Sequence, residues 1–270
     1  MPYLDDSLVV FTDLDGSLLD HDSYSWQPAQ GWLDKLAQHG VPVIITTSKT
    51  SAEVSSLQRD LQLNHLPFIA ENGAYIHLPA SEGPQHQVIG ADYQRVREIL
   101  VQLRQRYDFE FRGFGDVSPQ QVADWTGLSL DDARLAMQRE GSEPLMWFGS
   151  QPDFAHMEKL LAEEGLALTR GGRFWHVMGR EAGKGQAVKW LIEHYRQQRN
   201  NPPVSLGLGD GPNDISMLEA VDFAVVIRGK HDQKMPLNKA ENNIYRTHFV
   251  WSGRLATRAG SLFIPLILII

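Results

Sequence analysis

Two acidic pairs carry the chemistry that this sequence suggests. Asp13 and Asp15 lie in "VVFTDLDGSLLD", with Asp20 close behind, and Asp210 and Asp214 lie in "GLGDGPNDISML". Carboxylates packed this closely repel one another unless water or a cation lies between them. Oxygen donors from carboxylates and backbone suit Mg2+, which takes octahedral geometry and keeps some of its waters. Thr46, Thr47 and Ser48 supply hydroxyls ahead of a helix, and a helix N-terminus attracts anions. Lys184, between Gly183 and Gly185, supplies a point charge that can approach a phosphate closely. Singly, a Ser or Thr before a helix is a cap, and a Lys near a helix start is a solvated side chain. Taken in order, acid pair, hydroxyl, lysine and acid pair, each at the end of an element, fit phosphate chemistry. The run "DLDGSLLD" does not fit a calcium loop, because a buried strand precedes it and the twelfth-position Glu is missing.

The elements that must position these residues follow from the apolar pattern. "LVVFT", "VPVIITT" and "VSLGLGD" are short continuous apolar runs, read as strands buried on both faces. Between the first two, Trp32, Leu33, Leu36 and Ala37 share a helical face that Gly40 ends. Thr50 and Glu53 form a capping box for the next helix. "FIAENGAYIHL" reads as a strand, an Asn72-Gly73 turn and a returning strand. This is the alternation of a parallel sheet with helices packed on it, and ligands bind at the carboxyl ends of such strands.

The middle of the chain changes character. Val96, Ile99, Leu100, Leu103 and Tyr107 mark a helix, and Ser118 and Ser129 read as helix caps. "EPLMWFG", "DFAHMEKLLAEEG" and "ALTRGGRFWHVM" read as strand, helix and two strands. The first pattern then resumes at "GKGQAV". The expected fold class is α/β: a doubly wound parallel-sheet, Rossmann-like core with an inserted α+β domain. The expected boundaries are 1–83 and 180–270 for the core and 84–179 for the insertion, with crossings near 81–85 and 179–183.

Composition narrows the function. The formal net charge is -8, which argues against a general nucleic-acid binder, since that needs a basic surface to displace counterions. There is no cysteine, so disulfides, thiolate nucleophiles and cysteine-ligated metals are excluded. A cytoplasmic location is expected, and the acidic start "MPYLDD" lacks the order of a signal peptide. The ending "SLFIPLILII" is too short to span a bilayer. A final strand or packing segment is expected there, with no membrane partner.

"DLDGSLLD", "VIITTSKT", "GKGQAV" and "GLGDGPNDISML" resemble, in order, the four motifs of the haloacid dehalogenase superfamily of phosphatases, over about residues 8 to 227. The insertion and "IAENGA" resemble the sugar-phosphatase branch, whose insertion is a cap. The resemblance implies Asp13 as nucleophile, Asp15 as general acid and base, Thr47 as holder of a phosphoryl oxygen and Lys184 as the neutralising charge. It implies Mg2+ bound by the Asp13 carboxylate, the Asp15 backbone carbonyl and Asp210, with Asp214 and Asn213 close by. Thr47-Ser48-Lys49 stands where that branch usually carries T-G-R. This variant, with "GGRFWH" and "GLGDGPND", is similar to the mannosyl-3-phosphoglycerate phosphatases. Ser17, where Thr is commoner, and the stretch from Trp251 onward depart from the pattern.

The implied substrate is a small anionic sugar phosphate. Ser48, Lys49, Asn72 and Asn213 are candidate contacts. Arg170 and Arg173, around Gly171 and Gly172, can clamp a carboxylate in bidentate fashion or be exposed arginines on a glycine turn. His176 is read as structural. Trp125, Trp147 and Trp175 can stack on a sugar or pack within the insertion. Related phosphatases of glucosyl-3-phosphoglycerate, sucrose, trehalose or hexose phosphates remain open, as does a phosphomannomutase. A non-catalytic phospho-ligand sensor would be expected to have lost Asp13, Asp15 or Lys184.

Overall fold

The computed structural model describes residues 7–20, 24–80, 86–171, 173–198, 202–228 and 235–250. Gly172, the expected crossing at 81–85 and the apolar tail lie outside the described residues. The chain forms two compact units, Met1–Thr47 with Lys184–Ile270, and Ser48–Gly183.

The first unit begins with β1 (Leu8–Thr12), whose five residues are all buried. Helix α1 (Gln30–Gln38) buries Trp32, Leu33 and Leu36. It ends at Gly40, whose φ of 66° is open to glycine at little steric cost. Strand β2 (Val43–Thr46) then runs parallel to β1.

The second unit starts with α2 (Ser51–Asp60), capped by the expected reciprocal bonds between Thr50 and Glu53. Strands β3 (Phe68–Ala70), β4 (Tyr75–His77) and β5 (His86–Val88) pair antiparallel. The turn between β3 and β4 has four residues rather than two, Glu71 to Ala74, and Glu71, Asn72 and Gly73 all take positive φ. The local Asn-Gly signal misses Glu71 because tertiary bonds hold that residue. Its carboxylate accepts from the amides of Glu140 (2.7 Å) and Gly141 (3.2 Å) and from Ser142 Oγ (2.7 Å).

Next come α3 (Tyr93–Tyr107), β6 (Phe111–Gly113), α4 (Pro119–Thr126), α5 (Leu130–Ala136), β7 (Ser142–Trp147), α6 (Gln151–Glu163), β8 (Leu166–Arg170) and β9 (Trp175–Gly179). Asp92, Ser118, Ser129 and Ser150 each accept an amide bond at the start of their helix. Such caps stabilise by about 1 kcal/mol each. The strands form an antiparallel sheet in the order β6-β7-β9-β8. Val96, Ile99 and Leu103 of α3 and Met157 and Leu161 of α6 pack with Leu145 and Val177 of the sheet. Trp147 and Trp175 pack against this cluster, and Trp125 packs against the smaller one formed by α4 and α5.

The first unit resumes with α7 (Lys184–Gln198), β10 (Val204–Gly209), α8 (Ile215–Ala220), β11 (Phe223–Arg228) and β12 (Ile244–Val250). Its strands lie in the order β12-β11-β10-β1-β2, all parallel. The fold class is therefore α/β, a Rossmann-like parallel core interrupted in sequence by an α+β insertion. Strand β12 escapes the apolar-run reading because it lies at the sheet edge, where residues 244–247 are only partly buried or exposed.

Candidate active site

β1, β2 and β10 are neighbouring parallel strands, so their carboxyl ends share one edge. β1 delivers Asp13, β2 delivers Thr47 and β10 delivers Asp210. Lys184, the first residue of α7, is 2 % exposed. Its Nζ donates to Asp13 Oδ1 at 2.6 Å and to Asp214 Oδ1 at 2.7 Å. The other oxygen of Asp214 accepts from the amides of Asp210 (3.1 Å) and Gly211 (3.0 Å).

Two glycines permit this packing. A Cβ on Gly209 would lie 2.5 Å from Asp214 Cβ. One on Gly185 would run into the backbone of Ser216, and that approach lets the start of α7 reach the turn carrying Asp214. The Gly185 amide donates to Ser216 Oγ at 3.2 Å.

Asp15 follows in a tight loop. Leu19 N donates to Leu14 O at 2.8 Å, and Gly16, with φ 83°, donates its amide to Leu19 O at 2.9 Å. Leu14, Leu18 and Leu19 are buried beneath this loop. Asp15 is near enough to act electrostatically on Asp13. Thr47 is buried at the end of β2, and Asn213 sits beside Asp214 in a short helical turn.

The site is short of positive charge. Burial, then the neighbouring Asp214, push the Asp13 carboxyl well above its ordinary value, although Lys184 pulls it down. Burial disfavours charge on Lys184 too, but Asp13 and Asp214 outweigh it and hold the ammonium more firmly protonated than usual. Asp13, Asp210 and Asp214 each offer a carboxylate oxygen, and these lie within 4.8 Å of one another. Such a cluster of hard oxygen donors, with excess negative charge, fits a bound cation. Asp20 is buried but is not a member of this cluster.

The remaining sequence-derived candidates belong to the second unit. Ser48 O accepts from Arg139 Nη1 at 3.1 Å, and Lys49 O accepts from the Glu71 amide at 2.9 Å. Asn72 is 3 % exposed, and among the described residues neither its Oδ1 nor its Nδ2 has a hydrogen-bond partner. The guanidinium of Arg170 lies 4.9 Å from the ring centroid of Trp175. Arg173 Nη1 donates to Thr126 O at 2.7 Å. Arg173 and the end of β8 at Arg170 are exposed.

Sequence reasoning did not single out Arg139 or the buried charge network around Glu143. Arg97 bonds Glu143 Oε1 (2.8 Å) and Asp116 Oδ1 (2.6 Å), while Arg104 bonds both oxygens of Asp116 (2.7 and 2.9 Å). Tyr93 OH and the Gly115 amide complete the Glu143 shell. The available signal is the seven-residue spacing of Arg97 and Arg104, which puts them on one helix face.

A parallel α/β sheet bearing acids, a buried lysine and a hydroxyl residue at its carboxyl edge defines a hydrolase-type core. The haloacid dehalogenase-like hydrolase family matches residues 10–117 and 147–238. The chain belongs to that family. Among solved structures it is similar to BT1666 from Bacteroides thetaiotaomicron, described among phosphatases of the haloalkanoate superfamily. That match has 18% identity and a TM-score of 0.68, and covers 97% of this chain and 96% of the other. It is also similar to BT4131, described as a subclass IIB sugar phosphatase, at 16% identity and TM-score 0.61, covering 97% and 100%. TM0651 from Thermotoga maritima matches at 15% identity and TM-score 0.62, covering 97% of each chain. At these identities the likeness shows the fold. Among the described residues, no helix is long and apolar enough to cross a membrane.

Proposed function

We propose that this protein is a Mg2+-dependent phosphatase that releases phosphate from mannosyl-3-phosphoglycerate through an aspartyl-phosphate on Asp13. The observation that carries the reading is the buried Asp13–Lys184–Asp214 arrangement at the carboxyl edge of the sheet, with Asp210 beside it. Asp13 attacks phosphorus, and Lys184 neutralises charge on the carboxylate and on the phosphoryl oxygens. Thr47 holds a phosphoryl oxygen. Asp15 protonates the leaving alkoxide, then takes a proton from the water that hydrolyses the acyl phosphate. Asp13, Asp210, Asp214 and the Asp15 carbonyl would hold Mg2+, which supplies the positive charge that lets a phosphate dianion approach a carboxylate.

Residues 84–179 serve in this reading as a cap on a core formed by 1–83 and 180–270. Ser48, Lys49, Asn72 and Asn213 contact the substrate, and Arg170, Gly172 and Arg173 take its carboxylate. The "SKT" sequence after β2 and "GGRFWH" support the mannosylglycerate-forming activity, and the sugar-phosphatase description of BT4131 is in keeping with it. A cytoplasmic location fits the absence of cysteine.

The test is phosphate release with Mg2+ from mannosyl-3-phosphoglycerate, glucosyl-3-phosphoglycerate, sucrose 6-phosphate, trehalose 6-phosphate and mannose 6-phosphate. A preference of about 100-fold in kcat/KM for the first, near 2.7 kcal/mol of transition-state discrimination, is expected. A flat profile or a hexose-phosphate preference rejects the substrate while keeping the mechanism. Asp13→Asn should fold normally and lose at least about 1000-fold in kcat. Substantial turnover by that variant would remove Asp13 from its role.

A further inference from the structure

The β6-β7-β9-β8 sheet of the second unit has two edge strands, β6 and β8, and they differ in what they leave open. In an antiparallel pair, residues that bond the neighbouring strand alternate with residues whose amide and carbonyl point away from it. Phe148 N donates to Glu110 O at 2.8 Å, in the register that pairs Phe111 with Trp147. Glu110 and Arg112 therefore bond the β7 side, and Phe111 and Gly113 face outward. The outward amide of Gly113 is already taken by Asp116 Oδ2 at 2.9 Å, and Arg97 and Arg104 hold that carboxylate in place. A strand of three residues with a capped amide is a closed edge.

β8 is open. Gly171 N donates to Phe174 O and Arg180 N to Gly165 O, both at 2.9 Å, at the two ends of the β8–β9 register. Ala167 and Thr169 therefore bond β9, while Leu166, Leu168 and Arg170 turn their amides and carbonyls to the other side. Among the described residues nothing pairs with these groups. The register runs without a bulge, and "LALTR" has no proline or lysine, so the usual devices that blunt an edge are missing.

The side chains of this edge suit a second copy of the same strand. Laid antiparallel about a two-fold axis beside Leu168, each Leu168 meets its counterpart and each Leu166 meets the other copy's Arg170, every pair exchanging two bonds. No like charges oppose one another in this register. Leu168 is only partly buried against the apolar cluster of α3 and α6, so the two leucines cover each other. Arg170, at one end of β8, is exposed; its guanidinium lies against Trp175 and has no acid partner among the described residues. Glu163 ends α6 just before the other end of β8, and is likewise exposed and without an ion pair among the described residues. Antiparallel pairing brings the Arg170 end of each copy alongside the Glu163 end of the other, twice by symmetry.

We infer that β8 is a docking edge for a second copy of this chain, and that two copies pair through it, strand to strand, into a closed two-fold dimer. The closed β6 edge keeps the pairing from running on into a fibre. A ladder of five residues is about 17 Å long, short for a permanent interface, so the association is weak and grows with concentration. The inference is independent of the phosphatase reading.

The test is sedimentation equilibrium of the full chain from low to high micromolar concentration. The mass should rise towards that of a dimer, and a monomer throughout overturns the inference. Leu168→Pro removes an outward amide without touching the bonds to β9, and should abolish the rise. Glu163→Lys sets like charges together at both ends of the ladder and should raise Kd about tenfold. Adding Arg170→Glu to Glu163→Lys reverses both charges and should recover most of that loss. A dimer whose Kd is unchanged by Glu163→Lys uses another surface and overturns the inference, as does a double variant no tighter than the single one. Residue-resolved hydrogen exchange of the wild type gives a check that needs no variant, should Leu168→Pro fail to fold. The Leu168 and Arg170 amides should exchange at least tenfold more slowly in the concentrated sample than in the dilute one, while those of Ala167 and Thr169 should not change. Equal exchange of Leu168 and Arg170 at both concentrations overturns the pairing.

Discussion

Lys184 and Asp214 are joined through one oxygen of a carboxylate whose other oxygen organises the chain around Asp210. Asp214 Oδ1 takes the ammonium at 2.7 Å, and Oδ2 takes the Asp210 and Gly211 amides. Asp214 is completely buried, so its removal leaves a buried lysine with one partner and two amides with none. Asp214→Ala should lose about 3 to 5 kcal/mol of stability, read by urea unfolding. A loss below 1 kcal/mol would show that water replaces the carboxylate at no great cost.

In the proposed reading, the clustered acids should make stability depend on divalent metal. Mg2+ at 100 times its dissociation constant should stabilise the fold by about 2.7 kcal/mol, seen as a rise in Tm that EDTA reverses. Asp210→Ala removes one of the three clustered oxygens and should abolish most of that rise. A full metal-induced shift in this variant would place the ion elsewhere.

His176 sets an acid-side limit on the second unit. Burial, and secondarily Arg139, push its folded pKa down to about 3 from an ordinary value near 6.5. Between these values the unfolded chain binds the proton and the folded one does not, so stability falls as pH drops from about 6.5 towards 3. At pH 5 the loss should be on the order of 2 kcal/mol. Urea unfolding at pH 7.5 and 5 should show a smaller difference in His176→Gln than in the wild type. Identical differences would exclude this residue as the source.

The Arg97, Glu143 and Asp116 network predicts an asymmetry. Glu143 is fully buried, and burial raises its pKa even though Arg97 opposes this. Asp116 is held well below the usual carboxylate range: burial acts against this, but bonds from Arg104 and Arg97 prevail. Glu143→Gln keeps the acceptors for Arg97 and Gly115 and should cost about 1 kcal/mol. Arg97→Met takes the ion-pair partner from buried Glu143, while Asp116 keeps Arg104, and should cost about 3 kcal/mol or more. Chemical denaturation ranks the two, and the reverse order would contradict the network as described.

The parallel core was readable because its strands are continuous apolar runs that end in the acids and hydroxyls themselves. Asp13, Thr47 and Asp210 each follow such a run directly. Lys184 was readable because glycines flank it at a helix start. Asn72 was visible as half of an Asn-Gly pair, but its burial was not, because Glu71 is held by residues about seventy positions away. Arg139 gave no local sign, since its meaning comes from Ser48 O, 91 positions upstream. Edge strand β12 and the short strands β5 and β6 have too few buried residues to produce a pattern.

The bond between Lys184 and Asp13 spans 171 positions, and β1 takes its place between β2 and β10 only when residues 204–209 are present. During synthesis Asp13 therefore emerges long before the cation that neutralises it, and β1 keeps an open edge while the second unit is being made. The second unit is complete at Gly183, with its own apolar cluster, and can close first. The inserted unit is therefore expected to nucleate first, with the acid-bearing edge assembled last. Pulse-labelled hydrogen exchange should find the amides of β7 and β9 protected before those of β1, and the opposite order would refute this sequence of events.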